Sequence, residues 1–189
     1  MATGEPSARP SRPTDDVAAW VQRAQAGDAA AFRHIYERYV RRVHRAVRAL
    51  TPNDADAEDA THDAFAIAWE RLETYRPRPS STFASWLMTI AYNVARGHRR
   101  KLRRLHLVET FELERDETAA PSDVLARQAL YNVLATLPER DRRVIALRYA
   151  AELTAPEVAA ACDLSEANVR KICQRRRAEL LRALSGGPS

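Results

Sequence analysis

Cysteine and lysine are nearly missing from this 189-residue chain: Cys162 and Cys173 are its cysteines, and Lys101 and Lys171 its lysines. Both cysteines fall on the apolar sides of short helical patterns, so reduced core thiols are expected rather than a disulfide or a metal pair. No stretch approaches the roughly 18 to 20 consecutive apolar residues of a membrane helix. The stretch 1–14, MATGEPSARPSRPT, lacks the apolar core of a secretory signal, so a cytoplasmic chain without membrane insertion is expected. Strand-like alternation, internal repeats, a Gly-rich phosphate loop and a nucleophile with a paired base are all missing. His34, His44, His98 and His106 sit in Arg-rich surroundings without ligand spacing, and His62 lies among acids that have no second ligand set elsewhere. Together these absences argue against an enzyme, a bound cofactor and a metal centre.

What is present is arginine. Lys and Arg total 30 against 25 acids, giving a net charge of +5, and a basic balance suits a polyanionic partner. The pattern is helical throughout. Residues 1–13 are expected as a disordered tail. Val17, Trp20, Val21 and Ala24 form a first apolar stripe that ends near Gly27. Asp28 then caps a long helix with Phe32, Ile35, Tyr36, Tyr39, Val40, Val43, Val47 and Leu50 on one face. A third helix opens on Asp54, Asp56, Glu58 and Asp59, buries Ala57, Ala60, Ala64, Phe65, Ala68 and Leu72, and stops before Pro77 and Pro79. A fourth begins near Ser81 or Thr82, with Asn93 expected to cap a continuation rich in arginine. From 105 to 122 periodicity fades and acids gather, which reads as a flexible linker. Helices resume after it, including one from Leu137-Pro138 expected to bury Val144, Ile145, Leu147 and Tyr149. The expected fold is all-α: two helical bundles, 14–104 and 123–185, joined by that linker.

Residues 153–177, LTAPEVAAACDLSEANVRKICQRRR, read as two short helices around a tight turn. Thr154 with Glu157 makes a capping box, and Pro156 sits in the first turn where its missing N–H costs nothing. Cys162, Asp163 and Leu164 make the break, and Ser165 caps the next helix. Val169, Ile172 and Cys173 share one face of that helix while Arg170, Lys171, Gln174 and Arg175 fall on the other. Arg and Gln carry the forked donors and acceptors that match guanine and adenine edges in the major groove. The alternative is a solvated basic face, against which stands the lack of any acid between Glu166 and Glu179.

Residues 82–104, TFASWLMTIAYNVARGHRRKLRR, pair aromatic side chains and an Asn with a dense basic helix, the chemistry of single-strand capture. Phe83 and Trp86 lie on the apolar stripe and are expected in the core. Tyr92 and Asn93 fall at its end, where a side chain could reach an unpaired base; Arg96, Arg99 and Arg100 follow. On the preceding helix Glu58, Asp59, His62 and Asp63 project together on the polar side. They read either as a docking patch for a protein partner or as solvated charge that complements the helix dipole.

With these segments in hand, residues 16–184 resemble the bacterial sigma factors of the sigma-70 family, in the small extracytoplasmic-function group. AEDATHDAFAIAWERL at 57–72 is similar to the family's polymerase-clamp helix, and FASWLMTIAYNVARGHRR at 83–100 to its melting and minus-10 segment. LATLPERDRRVIALRY at 134–149, followed by the helix-turn-helix, is similar to its minus-35 domain. The resemblance implies that Asp59, His62 and Asp63 face core RNA polymerase and that Asn93 lies at the loop receiving a flipped minus-10 base. It also implies that Arg170, Lys171, Gln174 and Arg175, with the neighbouring Asn168, enter the minus-35 groove, and that an anti-sigma partner exists. Departures from the pattern are His62 where Gln is usual, Asp163 where Gly is common, Asn168 for Thr, and Ala150-Ala151-Glu152 for a Gly-containing turn. The 18-residue linker, 105–122, would extend up to roughly 60 Å, enough to hold two elements nearly two DNA turns of about 34 Å apart. The chain's end at LSGGPS, soon after the last helix, suggests no fused regulatory module. Two rivals remain at this level: a stand-alone helix-turn-helix regulator of duplex DNA, and a DNA-processing enzyme using the acidic helix.

Overall fold

The computed structural model describes residues 13–78, 81–104 and 121–184. The predicted N-terminal tail falls outside these residues, apart from Pro13, which begins helix α1 (Pro13–Gln25). The predicted linker also falls outside them, apart from Pro121 and Ser122, which begin a helix two residues earlier than expected. Among the described residues there is no strand, only an isolated bridge between Arg78 and Ser81. No described helix is long and apolar enough to cross a membrane.

The N-terminal bundle contains α1, α2 (Ala29–Arg48), α3 (Asp54–Arg71) and α4 (Phe83–Arg104). Gly27, at φ +90°, makes the turn into α2, whose cap is Asp28: its carboxylate accepts from Ala31 N–H at 3.0 Å. Hydrogen bonds from Ala31 and Arg23 hold that carboxyl below its ordinary value. Asn53 caps α3 by accepting from Asp56 N–H at 2.7 Å, and a 3-10 turn, Leu72–Thr74, ends the helix before the prolines. Every apolar position expected on α3 is buried, because alanines at four of those six sites let α2 and α4 approach closely. Phe83, buried as expected, and Trp86, only half-buried at the edge of the core, join Tyr39 and Tyr75 in an aromatic cluster with ring centroids 5.0–5.8 Å apart. Helix α4 runs unbroken through Asn93, so no second cap forms there. Thr82 caps its start by accepting from Ser85 N–H at 3.2 Å.

The C-terminal bundle contains α5 (Pro121–Thr136), α6 (Glu139–Ile145), a π-helical turn (Ala146–Ala150), α7 (Ala155–Cys162) and α8 (Glu166–Leu184). The π turn inserts a residue into the ladder, with Ala151 N–H bonding Ala146 C=O at 3.0 Å and Leu153 N–H reaching back to Leu147 C=O at 3.0 Å. That extra residue rotates Tyr149 outward. It was expected in the core and is 50% exposed instead. Thr154 and Glu157 complete the capping box on α7, and Ser165 caps α8 by accepting from Asn168 N–H at 3.3 Å.

Among the described residues two non-glycine residues take positive φ, Glu152 at 54° and Asp163 at 55°, and these lie in the two turns where the resemblance expects glycine. The left-handed geometry that glycine would suit is thus present at both turns without a glycine. At Asp163 the left-handed residue closes α7, with Leu164 N–H donating to Ala159 C=O at 2.9 Å. We therefore expect Asp163→Gly to raise stability by about 0.5 kcal/mol and Asp163→Val to lower it by about 1–2 kcal/mol, read from urea unfolding.

The two bundles do not stand apart. Val144, Ala146, Leu147, Ala151, Leu153 and Val158 belong to the same buried cluster as the core of α2, α3 and α4. A smaller cluster of Leu134, Leu137 and Ile145 lies between α5 and α8.

Candidate nucleic-acid interface

Helices α7 and α8 form the helix-turn-helix that the capping signals predict. Val169 and Ile172 are buried against the bundle, Cys173 is half-buried, and Asn168, Arg170, Lys171, Gln174 and Arg175 are exposed. The expected division of faces therefore holds. Two of the exposed arginines are nevertheless engaged within the protein. Arg170 reaches Glu166 one turn back at 2.9 Å, an exposed pair of little energetic weight. Arg175 donates to Asp141 at 2.7 Å.

Asp141 is a residue whose role was not legible as chemistry. It is 1% exposed, and one of its oxygens accepts from Arg175 Nη2 and from Arg176 Nε at 2.9 Å, tying α6 to α8. Burial would raise its carboxyl pKa, but the hydrogen bonds from Arg176 and Arg175 outweigh that and hold it below its ordinary value. The signal was available: Asp141 precedes Val144 and Ile145 by three and four residues, so an acid sits on the buried stripe of its helix. Such a group requires compensating cations.

On α4 the expected minus-10 set divides. Asn93, Arg96 and Arg100 are exposed, and Asn93 lies well inside the helix, not in a loop. Tyr92 and Arg99 were expected at the surface but are 4% and 8% exposed. The reason is the C-terminal bundle lying over them. Tyr92 O–H donates to Glu139 Oε1 at 2.7 Å, and the Arg143 guanidinium sits 5.6 Å from the centre of its ring. Burial, and then Glu139, push the Tyr92 phenol above its ordinary value. Arg99 Nη2 lies 3.1 Å from Glu139 Oε2, and Arg96 Nε 3.0 Å from Oε1. Burial alone would raise the Glu139 carboxyl, yet the bond from Tyr92 and the guanidinium groups of Arg99, Arg96 and Arg142 hold it low.

Glu58, Asp59, His62 and Asp63 are all exposed on α3 and form one polar face, as their spacing implies. Asp63 is turned toward α4, where its Oδ2 lies 2.8 Å from His98 Nε2. Among the described residues no group of His, Cys, Asp or Glu could hold a metal ion.

Other arginines missed as structural residues cap helix ends with their guanidinium groups. Arg42 Nε donates to Ala151 C=O at 2.6 Å and its Nη2 to Glu152 C=O at 3.0 Å, across the seam between bundles. Arg45 lies 2.7 Å from the Glu152 carboxylate. Arg142 Nη2 donates to Ala135 and Leu137 C=O at 2.7 Å each, and Arg143 to Ala161 C=O at 2.7 Å. Carbonyls left unpaired where a helix ends are the natural acceptors for such cations.

The fold defines a two-part helical protein that carries a helix-turn-helix and a basic helix. A family model described as Sigma-70 region 2 matches residues 35–105, and one described as Sigma-70, region 4 matches residues 127–180. The ECF RNA polymerase sigma factor BldN of Streptomyces coelicolor is 29% identical over 170 residues, which cover 87% of this chain and 64% of that one. The ECF RNA polymerase sigma-E factor of Escherichia coli is 31% identical over 171 residues, covering 83% of this chain and 88% of that one. The chain thus spans a little under two thirds of the length of BldN. The structure of CnrH, solved in complex with the cytosolic domain of CnrY, shares the fold, with a TM-score of 0.67 and 24% identity over 92% of this chain and 100% of that one. The chain belongs to the sigma-70 family, in its extracytoplasmic-function group.

The Asp141 cluster generates a stability test. Asp141→Asn should cost about 2–3 kcal/mol at pH 7 by leaving two guanidinium groups without their buried anion. Because the native carboxyl pKa is lowered, its contribution is complete above the ordinary value of 3.8 and is lost as pH falls below it. The gap between wild type and Asp141→Asn, followed by chemical unfolding, should therefore narrow below pH 4.

Proposed function

We propose that this protein binds core RNA polymerase, recognises minus-35 and minus-10 promoter elements and promotes melting of the duplex, so that transcription of a particular set of genes begins. The observation that carries the reading is the exposed face of α8, Asn168, Arg170, Lys171, Gln174 and Arg175, presented by a capped helix-turn-helix. A helix so presented fits the major groove, where Arg, Lys, Gln and Asn side chains read base edges. Arg175, tied to Asp141, is held in a fixed direction, which favours a positioned contact over a diffuse one.

The exposed Asp59, His62 and Asp63, with Glu58 beside them, form the face offered to polymerase: acids on a basic protein are repelled by DNA and suit a protein partner. On α4, Asn93, Arg96 and Arg100, joined by Tyr92 and Arg99 when these are uncovered, hold the non-template strand of the minus-10 element. The protein itself makes and breaks no covalent bond, needs no cofactor and acts in the cytoplasm, where polymerase and DNA are. Membership of the family favours this over a stand-alone regulator of duplex DNA. A protein that must be silent until needed also suits an anti-sigma partner. The relative CnrH was solved with the cytosolic domain of CnrY, and a second relative in fold, the sigma factor RpoE, with the anti-sigma factor NepR from Bartonella quintana.

The test is transcription in a purified system with core polymerase on genomic fragments, reading start sites. Discrete, promoter-dependent starts are expected, and their absence with competent core polymerase would remove the reading. In the same assay Asp59→Ala should weaken core binding without any DNA cleavage, and Asn93→Ala should slow open-complex formation more than duplex binding, followed with fluorescent bases in the minus-10 region.

A further inference from the structure

Three hydrogen-bond donors and a fourth cation, Arg96, converge on one carboxylate at the seam between the bundles. Glu139 Oε1 receives Tyr92 O–H at 2.7 Å and faces Arg96 Nε at 3.0 Å; Oε2 faces Arg99 Nη2 at 3.1 Å and Arg142 Nη1 at 3.2 Å. Tyr92, Arg96 and Arg99 lie on α4, while Glu139 opens α6 in the other bundle. A phenol hydroxyl and two guanidinium forks facing one way make a cradle for an anion with paired oxygens. Carboxylate and phosphodiester satisfy it by the same charge-assisted bonds.

We infer that Glu139 is an internal substitute for a DNA backbone phosphate, occupying the Tyr92–Arg96–Arg99 cradle so that the C-terminal bundle covers the strand-binding side of α4 until the two bundles part. The inference rests on the reading of α4 as a DNA-holding helix. Its independent support is geometric. Arg99 and Tyr92 are shut away from solvent in this arrangement, and their donors, which could equally serve a phosphate, are taken up by a carboxylate.

The closure is fastened along its length, yet with bonds that water and salt can replace. At one end Thr82 donates to Glu157 at 2.5 Å; on α2, Arg42 and Arg45 hold the carbonyls at 150–152. The Glu139 side chain is 43% exposed, so its ion pairs are screened as ionic strength rises. Beneath them lies the apolar contact of Leu147, Leu153 and Val158 with the N-terminal core. A closed form held this way lowers the apparent affinity for DNA by the fraction of molecules that are open, and a ligand of the open form draws the equilibrium toward itself.

The experiment uses the full chain in three forms, wild type, Glu139→Gln and Arg42→Gln, each first shown to unfold cooperatively with unchanged helix content. Arg42→Gln loosens the seam without touching the cradle, so it carries the test should Glu139→Gln fold poorly. Two quantities are read: the radius of gyration by small-angle scattering, and the affinity for a labelled single-stranded DNA oligonucleotide by anisotropy. Both variants should expand the particle and bind the oligonucleotide about ten-fold more tightly, the lower factor expected from losing one charge-assisted bond of the closed form. An unchanged radius in both variants overturns the closure, and expansion without tighter binding overturns competition between Glu139 and phosphate. Failure of the underlying reading shows separately: adding Arg100→Ala to Glu139→Gln would then leave oligonucleotide binding unchanged.

Discussion

The buried apolar layer shared by the two bundles is the constraint on which everything else in this arrangement depends. Leu147, Leu153 and Val158 are each 0–2% exposed, and they are covered by α2 and α4 as well as by their own bundle. Once they meet, the helix ends at 150–152 come within reach of Arg42 and Arg45, and Glu139 comes within reach of Tyr92, Arg96 and Arg99. The polar contacts are thus consequences of an apolar docking that is not specific in direction. They give it a register.

Arginine does two jobs here, which is why composition alone misleads. Arg42, Arg142 and Arg143 donate to carbonyls at helix ends, and Arg176 is held by Asp141 and Glu179. The planar guanidinium presents its donors in a fixed fork, whereas a lysine ammonium is a rotating point charge without that preset direction. Arg100, Lys171 and Arg177 instead face outward with the exposed side of their helices. A net charge of +5 therefore overstates neither job but describes neither: part of it is internal scaffolding, and part is offered to a polyanion.

Helix positions and caps were legible because they are local. Asp28, Thr154 with Glu157, and Ser165 each bond a backbone N–H within three residues, a distance that sequence spacing specifies, although the cap expected at Asn93 did not form and Asn53 caps α3 unforeseen. The outward faces of α3 and α8 were legible for the same reason, since a 3.6-residue period sorts apolar from polar side chains. The turns at Glu152 and Asp163 were legible as departures, and the backbone takes left-handed geometry at both. Tyr149 was not: a π turn adds one residue and moves the face by about 100°, and no residue type announces it. Nor were Tyr92 and Arg99, whose burial comes from a helix 40 to 47 residues further along the chain.

The sequence by itself determined an all-helical chain in two parts, a capped helix-turn-helix with a basic face and an acidic face on a separate helix, because these follow from contacts within a few residues. Only the tertiary structure decided which arginines are scaffolding, that Asp141 fastens the recognition helix, and that Glu139 closes over the basic helix of the other bundle. Those outcomes depend on which surfaces meet across 34 to 47 residues of chain, where periodicity carries no information and burial decides.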